Sequence, residues 1–231
     1  MRAAGQAPEG TTELVFDVTD ADGVAAALSG LEVDALVDNA GVAIAAPLEL
    51  LPPSELTRQL DVNVVGQLRV LQAVLPALRR SRGRVVLMGS IAGRSALPFL
   101  GAYAMSKFAL EAMADSLRVE LAPWGIRVAI VQPGTIATPI WSKPQQNAAD
   151  LPPEAATLYG ERIGKFRSLA AERSAKAMPA SLVADAVLHA LTSGKPKTRY
   201  LVGKDAKLRA RVQRFPDRTR DRLLTRFLFG K

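Results

Sequence analysis

Short apolar runs rich in Val, Ile and Leu recur at residues 13–18, 34–39, 84–90, 127–133 and 198–202, and each predicts a β-strand. Between them, residues 20–29, 53–80, 102–124 and 181–193 return apolar positions every three or four residues, the spacing of a helix with one buried face. This alternation predicts an α/β fold, a three-layer sandwich around a mainly parallel sheet. Sheets of this kind bind ligands beyond the carboxyl ends of their strands. Asp17 closes the first run, Asn39-Ala40-Gly41 the second, Ser90 the third and Pro133-Gly134-Thr135 the fourth, so all should face one crevice. Singly, Gly41 and Gly134 read as turns, Asp17 as a helix cap and Asn63 as a polar residue inside a helix. Jointly, those readings leave unexplained why each strand ends in a residue suited to a nucleotide.

The chemistry concentrates between Ser90 and Lys107. Tyr103 and Lys107 stand four apart, so on a helix they share a face and the ammonium lies beside the phenol. A free phenol has a pKa of about 10, and proton transfer near neutrality needs a positive charge that favours the phenolate. Lys107 is the expected source of that charge. Ser90, at the mouth of the neighbouring strand, offers a hydroxyl to orient a carbonyl oxygen.

These residues, with Asn63 in Asp61-Val62-Asn63-Val64-Val65-Gly66, follow the order and spacing of the classical short-chain dehydrogenase/reductases, which the chain resembles from about residue 14 to 138. The resemblance implies a Rossmann-like dehydrogenase domain over residues 1–231, a substrate lid at about 140–178 and a basic C-terminal extension at about 205–231. It further implies NAD or NADP as cofactor, with a secondary alcohol or ketone as substrate. Tyr103 would pass the proton and Ser90 orient the substrate oxygen. Lys107 would hold the nicotinamide ribose and lower the phenol's pKa, while Asn63 would fix a water on a proton path. Asn39, Ala40 and Gly41 would line the adenosine side, with Asp17 and Val18 near the adenine. Pro133, Gly134, Thr135, Ile136 and Thr138 would close over the nicotinamide. Helices 53–80 and 102–124 would form a dimer or tetramer face through Leu68, Leu71, Leu75, Leu110, Met113 and Leu117. Leu97, Phe99, Leu100, Ile140 and Trp141 suit a lipophilic substrate, and equally suit core or dimer contacts.

One part of the family pattern is missing. The sequence holds no opening strand, no Thr-Gly-x-x-x-Gly-x-Gly turn with its helix, and no second strand, whose end would choose between the two dinucleotides. Gly5 and Gly10 follow no apolar strand and cannot replace that turn. In the family these strands lie between the run ending at Asp17 and the run ending at Asn39. The expectation is therefore an upstream start, with direct pairing of residues 13–18 to 35–38, or a gap-filling partner chain, as the other outcomes. A catalytically silent fragment or dimerising scaffold is the rival reading of the whole chain.

Composition narrows the rest. At 231 residues and 48% hydrophobic, the chain can bury one good core. It has no cysteine, which removes disulfides and thiol catalysis and fits a reducing, cytoplasmic setting. Its single histidine, His189, cannot build a metal cluster and reads as core or surface. No run of apolar residues is long enough for a spanning helix. The charge of +8 belongs to residues 195–231, where thirteen Lys or Arg face three Asp. That tail reads as a strand and then a basic helix, 208–229, docked by Leu208, Val212, Phe215, Leu223, Leu224, Phe227 and Leu228. A weak peripheral contact with anionic membrane is its second reading. Nucleic acid is disfavoured because the tail lacks aromatic platforms for base stacking.

Overall fold

The computed structural model describes residues 8–138, 140 and 152–230. Its centre is a four-stranded, wholly parallel sheet in the order β1 (Ala35–Asp38), β2 (Arg84–Met88), β3 (Arg127–Pro133), β4 (Arg199–Val202). The helices are α1 (Ala21–Leu28), α2 (Pro53–Leu60), α3 (Gln67–Ser81), α4 (Gly101–Glu120), α5 (Glu154–Ala175), α6 (Ser181–Thr192), α7 (Lys204–Val212) and α8 (Asp217–Phe229). The period-two alternation of the strands builds the layers. Val85, Leu87, Val128 and Ile130 join Leu71, Val74 and Leu78 of α3 and Leu110, Ala114 and Leu117 of α4 in one core cluster. Val86, Ala129 and Val131 point the other way, into a cluster with Val183, Ala186, Val187 and Ala190 of α6. Because the strands are parallel, Asp38, Met88, Pro133 and Val202 end at the same edge, and the loops beyond them form the functional rim.

Four expectations change. Residues 13–18 form no strand, so the pairing with 35–38 does not occur and β1 is an edge of the sheet. The local cause is a turn: the Asp17 carboxylate accepts from Thr19 N at 2.9 Å and Thr19 Oγ1 at 2.8 Å, and Asp20 then caps α1. Leu14 and Val15 are left exposed, as is Val37 on β1. Second, Leu71, Leu110 and Leu117 are buried in the domain's own core, with Leu75 and Met113 packed against it, so they are not a free dimer face.

Third, the tail is two helices, α7 and α8, separated at Pro216. Ala206 and Ala210 dock α7 on Ile91, whereas Leu208, Phe215, Leu223 and Phe227 face outward. Small residues let α7 lie close to the rim, which the count of large apolar residues missed. Fourth, the proposed lid contains the 22-residue helix α5. Trp141 lies outside the described residues, as do its neighbours up to 151.

Candidate active site

The rim is organised around α4. Its inward face carries Tyr103, Ser106 and Lys107, all buried, one turn before the core residue Leu110. Ser90, just past β2, caps a short 3₁₀ turn by accepting from Ala92 N at 3.1 Å, and its hydroxyl lies close enough to the Tyr103 phenol to favour the phenolate. Gly89 precedes it of necessity, since a Cβ there would stand 2.8 Å from Ile130 Cδ1. The structure thus brings Ser90, Tyr103 and Lys107 to one place.

Lys107 Nζ lies 5.7 Å from the Tyr103 ring centroid and donates to Met88 O at 2.8 Å. Burial pulls its pKa down to about 8, opposed by the carboxylate of Asp38. Asp38 is itself buried at the end of β1, and desolvation raises it to about 7 against the pull of the Ala40 amide and of Lys107. Its Oδ2 has no hydrogen-bond partner. Tyr103 departs from the sequence expectation: burial raises the phenol's pKa, and the effects that lower it come from the Ser90 hydrogen bond and then the charge of Arg209. Lys107 is turned toward Met88 O and Asp38 instead.

Asn63 sits in a π-helical turn, Asp61–Gly66, between α2 and α3. Such turns open the i→i−4 ladder and are frequent at functional sites. Its Oδ1 accepts from Val42 N at 2.8 Å, and its Nδ2 donates to Val42 O at 2.9 Å and Ser106 Oγ at 3.0 Å. Ser106 Oγ in turn donates to Tyr103 O at 2.8 Å. Asn63 therefore ties the loop after β1 to the helix of Tyr103. Gln59 and Gln67 extend the seam: Gln59 Oε1 accepts from Ile44 N at 2.8 Å and Gln67 Nε2 donates to Ala40 O at 2.8 Å. Sequence reasoning missed these two, although Gln59, Asn63 and Gln67 recur every four residues on an otherwise apolar face.

The remaining residues divide. Asn39 and Gly41 are open on the rim, and a Cβ on Gly41 would stand 3.4 Å from Asn63 Oδ1 and 4.0 Å from Lys107 Nζ. Pro133 ends β3, and Thr135 N and Oγ1 donate to Asp205 Oδ2 at 2.7 and 3.0 Å, pinning the rim loop to α7. A Cβ on Gly134 would fall 2.1 Å from Asp205 Oδ1, so a side chain there would displace the carboxylate that holds Thr135. Ile136 bridges Met178, and Thr138 is exposed beyond it. Asp17 and Val18 are not at a strand end. Val18 packs on Gly66 and its carbonyl accepts from Arg69 at 3.3 Å, so the pair lies against the π turn.

The nicotinamide end of a dinucleotide fits what is present. Gly41 leaves the side-chain-free space, Lys107 the buried donor and Tyr103 with Ser90 the paired hydroxyls. The pyrophosphate end is less provided for: among the described residues no glycine-rich turn links a strand to a helix beside β1.

A parallel sheet whose carboxyl edge gathers a serine, a tyrosine and a buried lysine defines a Rossmann-like oxidoreductase. The family model for short chain dehydrogenase matches residues 3–149. Human retinol dehydrogenase 16 is 37% identical over 220 residues, covering 88% of this chain and 69% of that protein. A short-chain dehydrogenase from Streptomyces avermitilis superposes with a TM-score of 0.75 at 29% identity, over 92% of this chain and 77% of that one. One from Burkholderia cenocepacia J2315, solved in complex with NADP, gives 0.70 at 27% identity over 94% and 80%. The chain belongs to the short-chain dehydrogenase family, whose members are NAD(P)-dependent oxidoreductases. It spans 57–78% of the length of the curated relatives it matches.

Proposed function

We propose that the chain moves a hydride between a nicotinamide dinucleotide and the carbon of a secondary alcohol or ketone, with Tyr103 as the acid/base. The observation that carries this reading is the buried Tyr103 phenol with half-buried Ser90 on one side and buried Lys107 on the other. When bound, the dinucleotide supplies or takes the hydride. The chain's own residues do the rest.

Ser90 orients the substrate oxygen and holds the phenol toward it. Tyr103 is kept protonated at neutral pH by burial, so it stands ready to donate to a carbonyl oxygen as negative charge develops there. Lys107, whose pKa is about 8, holds a ribose hydroxyl and can return the proton. Asn63 keeps the loop bearing Gly41 against α4, so the floor of the site does not move. Asn39, Ala40 and Gly41 bind on the adenosine side, with Asp17 and Val18 near the adenine, and Pro133, Gly134, Thr135, Ile136 and Thr138 on the nicotinamide side.

The substrate we propose is lipophilic. Ile140 packs on Ala43, Ala92 and Tyr103, and Phe99 meets Tyr159, Phe166 and Phe229 edge to face at centroid distances of 6.2, 5.5 and 6.4 Å. Phe99 does so from a positive φ of 65°, a conformation that costs a non-glycine residue about 1 kcal/mol. The human relative is named for retinol, an apolar alcohol, in keeping with such walls.

The test is titration of the purified chain with NADH and NADPH, read by cofactor fluorescence, followed by turnover of medium-chain ketones. Saturable quenching with ketone-dependent oxidation of the cofactor supports the reading. Absence of both at millimolar dinucleotide favours the silent scaffold.

A further inference from the structure

The C-terminal helix α7 brings an arginine to the site that the family reading gave no role. Arg209 is half-buried and grips the loop after Ser90: its Nη2 donates to Ser95 O, and its Nε reaches Ser95 Oγ at 3.4 Å. Gln213, one turn later, donates to the same Ser95 Oγ at 3.0 Å. Arg209 stands close enough to Tyr103 for its charge to favour the phenolate. A second cation, Arg173 of α5, is near enough to repel it, with its guanidinium 4.9 Å from the Phe227 ring centroid.

Arg173, stacked on the Phe227 ring, thus adds a second positive charge near Arg209. Burial and Arg173 lower the pKa of Arg209 to about 10, so it stays charged at neutral pH. Asp205 offsets part of that charge from one turn away on α7, but its Oδ2 already accepts twice from Thr135. Among the described residues no carboxylate lies within ion-pair distance of Arg209 or Arg173, and Arg209 Nη1 has no protein acceptor. Like charges held together in poorly solvated surroundings are relieved by an anion between them. The planar guanidinium is the side chain best matched to a carboxylate.

We propose that Arg209, assisted by Arg173, recognises a carboxylate on the substrate, so that the preferred ketones are apolar oxo-acids whose acid group binds beside Tyr103. This rests on the hydride-transfer reading for its reaction but not for its binding. The test accordingly measures binding first. A medium-chain oxo-acid and its methyl ester are titrated by calorimetry into the wild-type chain, Arg209→Gln and Arg173→Gln, at low and high salt, and both ketones are then assayed for turnover with NADPH.

The expected result is at least a tenfold preference for the acid in the wild type. The preference falls about tenfold in Arg209→Gln, falls less in Arg173→Gln, and shrinks with salt. Equal binding of acid and ester, no binding of either, or a preference untouched by either substitution overturns the proposal. If Arg209→Gln is too unstable to titrate, the wild-type preference and Arg173→Gln decide. An acid preference in binding without any turnover would keep the anion site and sink the hydride-transfer reading. Turnover of both ketones at equal kcat/KM, with equal binding, would do the reverse.

Discussion

At the scale of single residues, the site depends on how burial sets three protonation states. In the proposed mechanism Tyr103 donates the proton, and burial, which raises the phenol's pKa, favours the neutral form that can do so. Tyr103→Phe removes one proton and one hydrogen bond to Ser90, so turnover should fall by about 10² to 10⁴ while cofactor affinity stays within about twofold. Stability should change by only about 1 kcal/mol, measured by urea titration. Asp38 and Lys107 act as a buried pair. With Asp38 raised from its ordinary 3.8 to about 7, the folded chain keeps a proton the unfolded chain has released. Its contribution to stability therefore falls as pH rises through that window. Lys107, lowered from 10.5 to about 8, has the opposite sign: the unfolded chain holds the extra proton, and stability rises with pH between those values. Asp38→Asn should remove the first limb, so its melting temperature gains on the wild type steadily from pH 4 to 7. It should also move the Lys107 titration below about 8, because the carboxylate that supports the ammonium is gone. A constant difference in melting temperature across that range would contradict the assignment.

At the scale of elements, the site is a set of loops fixed by polar side chains on helix faces. The π turn places Asn63 where it can satisfy the Val42 amide and carbonyl and the Ser106 hydroxyl together. Asn63→Ala leaves the part-buried Val42 amide without its acceptor, while Gln59 Nε2 still donates to Val42 O at 2.6 Å, and a loss of about 1–3 kcal/mol is expected from chemical denaturation. A loss under about 0.5 kcal/mol would show that the seam is not structural. Much of this was legible in the chain. Strands β2 and β3 announce themselves by apolar residues buried on both faces, and α4 by its spacing. Residues 13–18 read the same way but form no strand, because a strand requires a hydrogen-bonding neighbour that no local pattern reports, and Asp17 turns the chain instead. Ser90, Tyr103 and Lys107 were readable because they lie within 18 residues of one another. Asp38, Asp205 and Arg209 were not, since their meaning comes from contacts across the fold, and Arg209 is one of thirteen basic residues in its segment.

At the scale of the molecule, two surfaces differ in finish. The C-terminal helices close over the rim, with Asp205 tied to Thr135 and Arg209 to Ser95. Among the described residues the opposite edge is open: β1 carries Val37 40% exposed, with Leu14 and Val15 also exposed. An unpaired apolar edge is a template for association. Val37→Lys should therefore reduce concentration-dependent self-association in light scattering without changing the circular dichroism. Association unaffected by this charge would place the contact elsewhere. Among the described residues no helix is long and apolar enough to cross a membrane.

The proposed hydride transfer at Ser90, Tyr103 and Lys107 has an isotopic signature. Incubation of the purified protein with a ketone and NADPH deuterated at the transferred position of the nicotinamide tests it most directly, with the product alcohol read by mass spectrometry. Deuterium on the carbinol carbon with the wild type, and none with Tyr103→Phe, is the predicted result. Equal deuterium in both, or none in the wild type, would contradict the account.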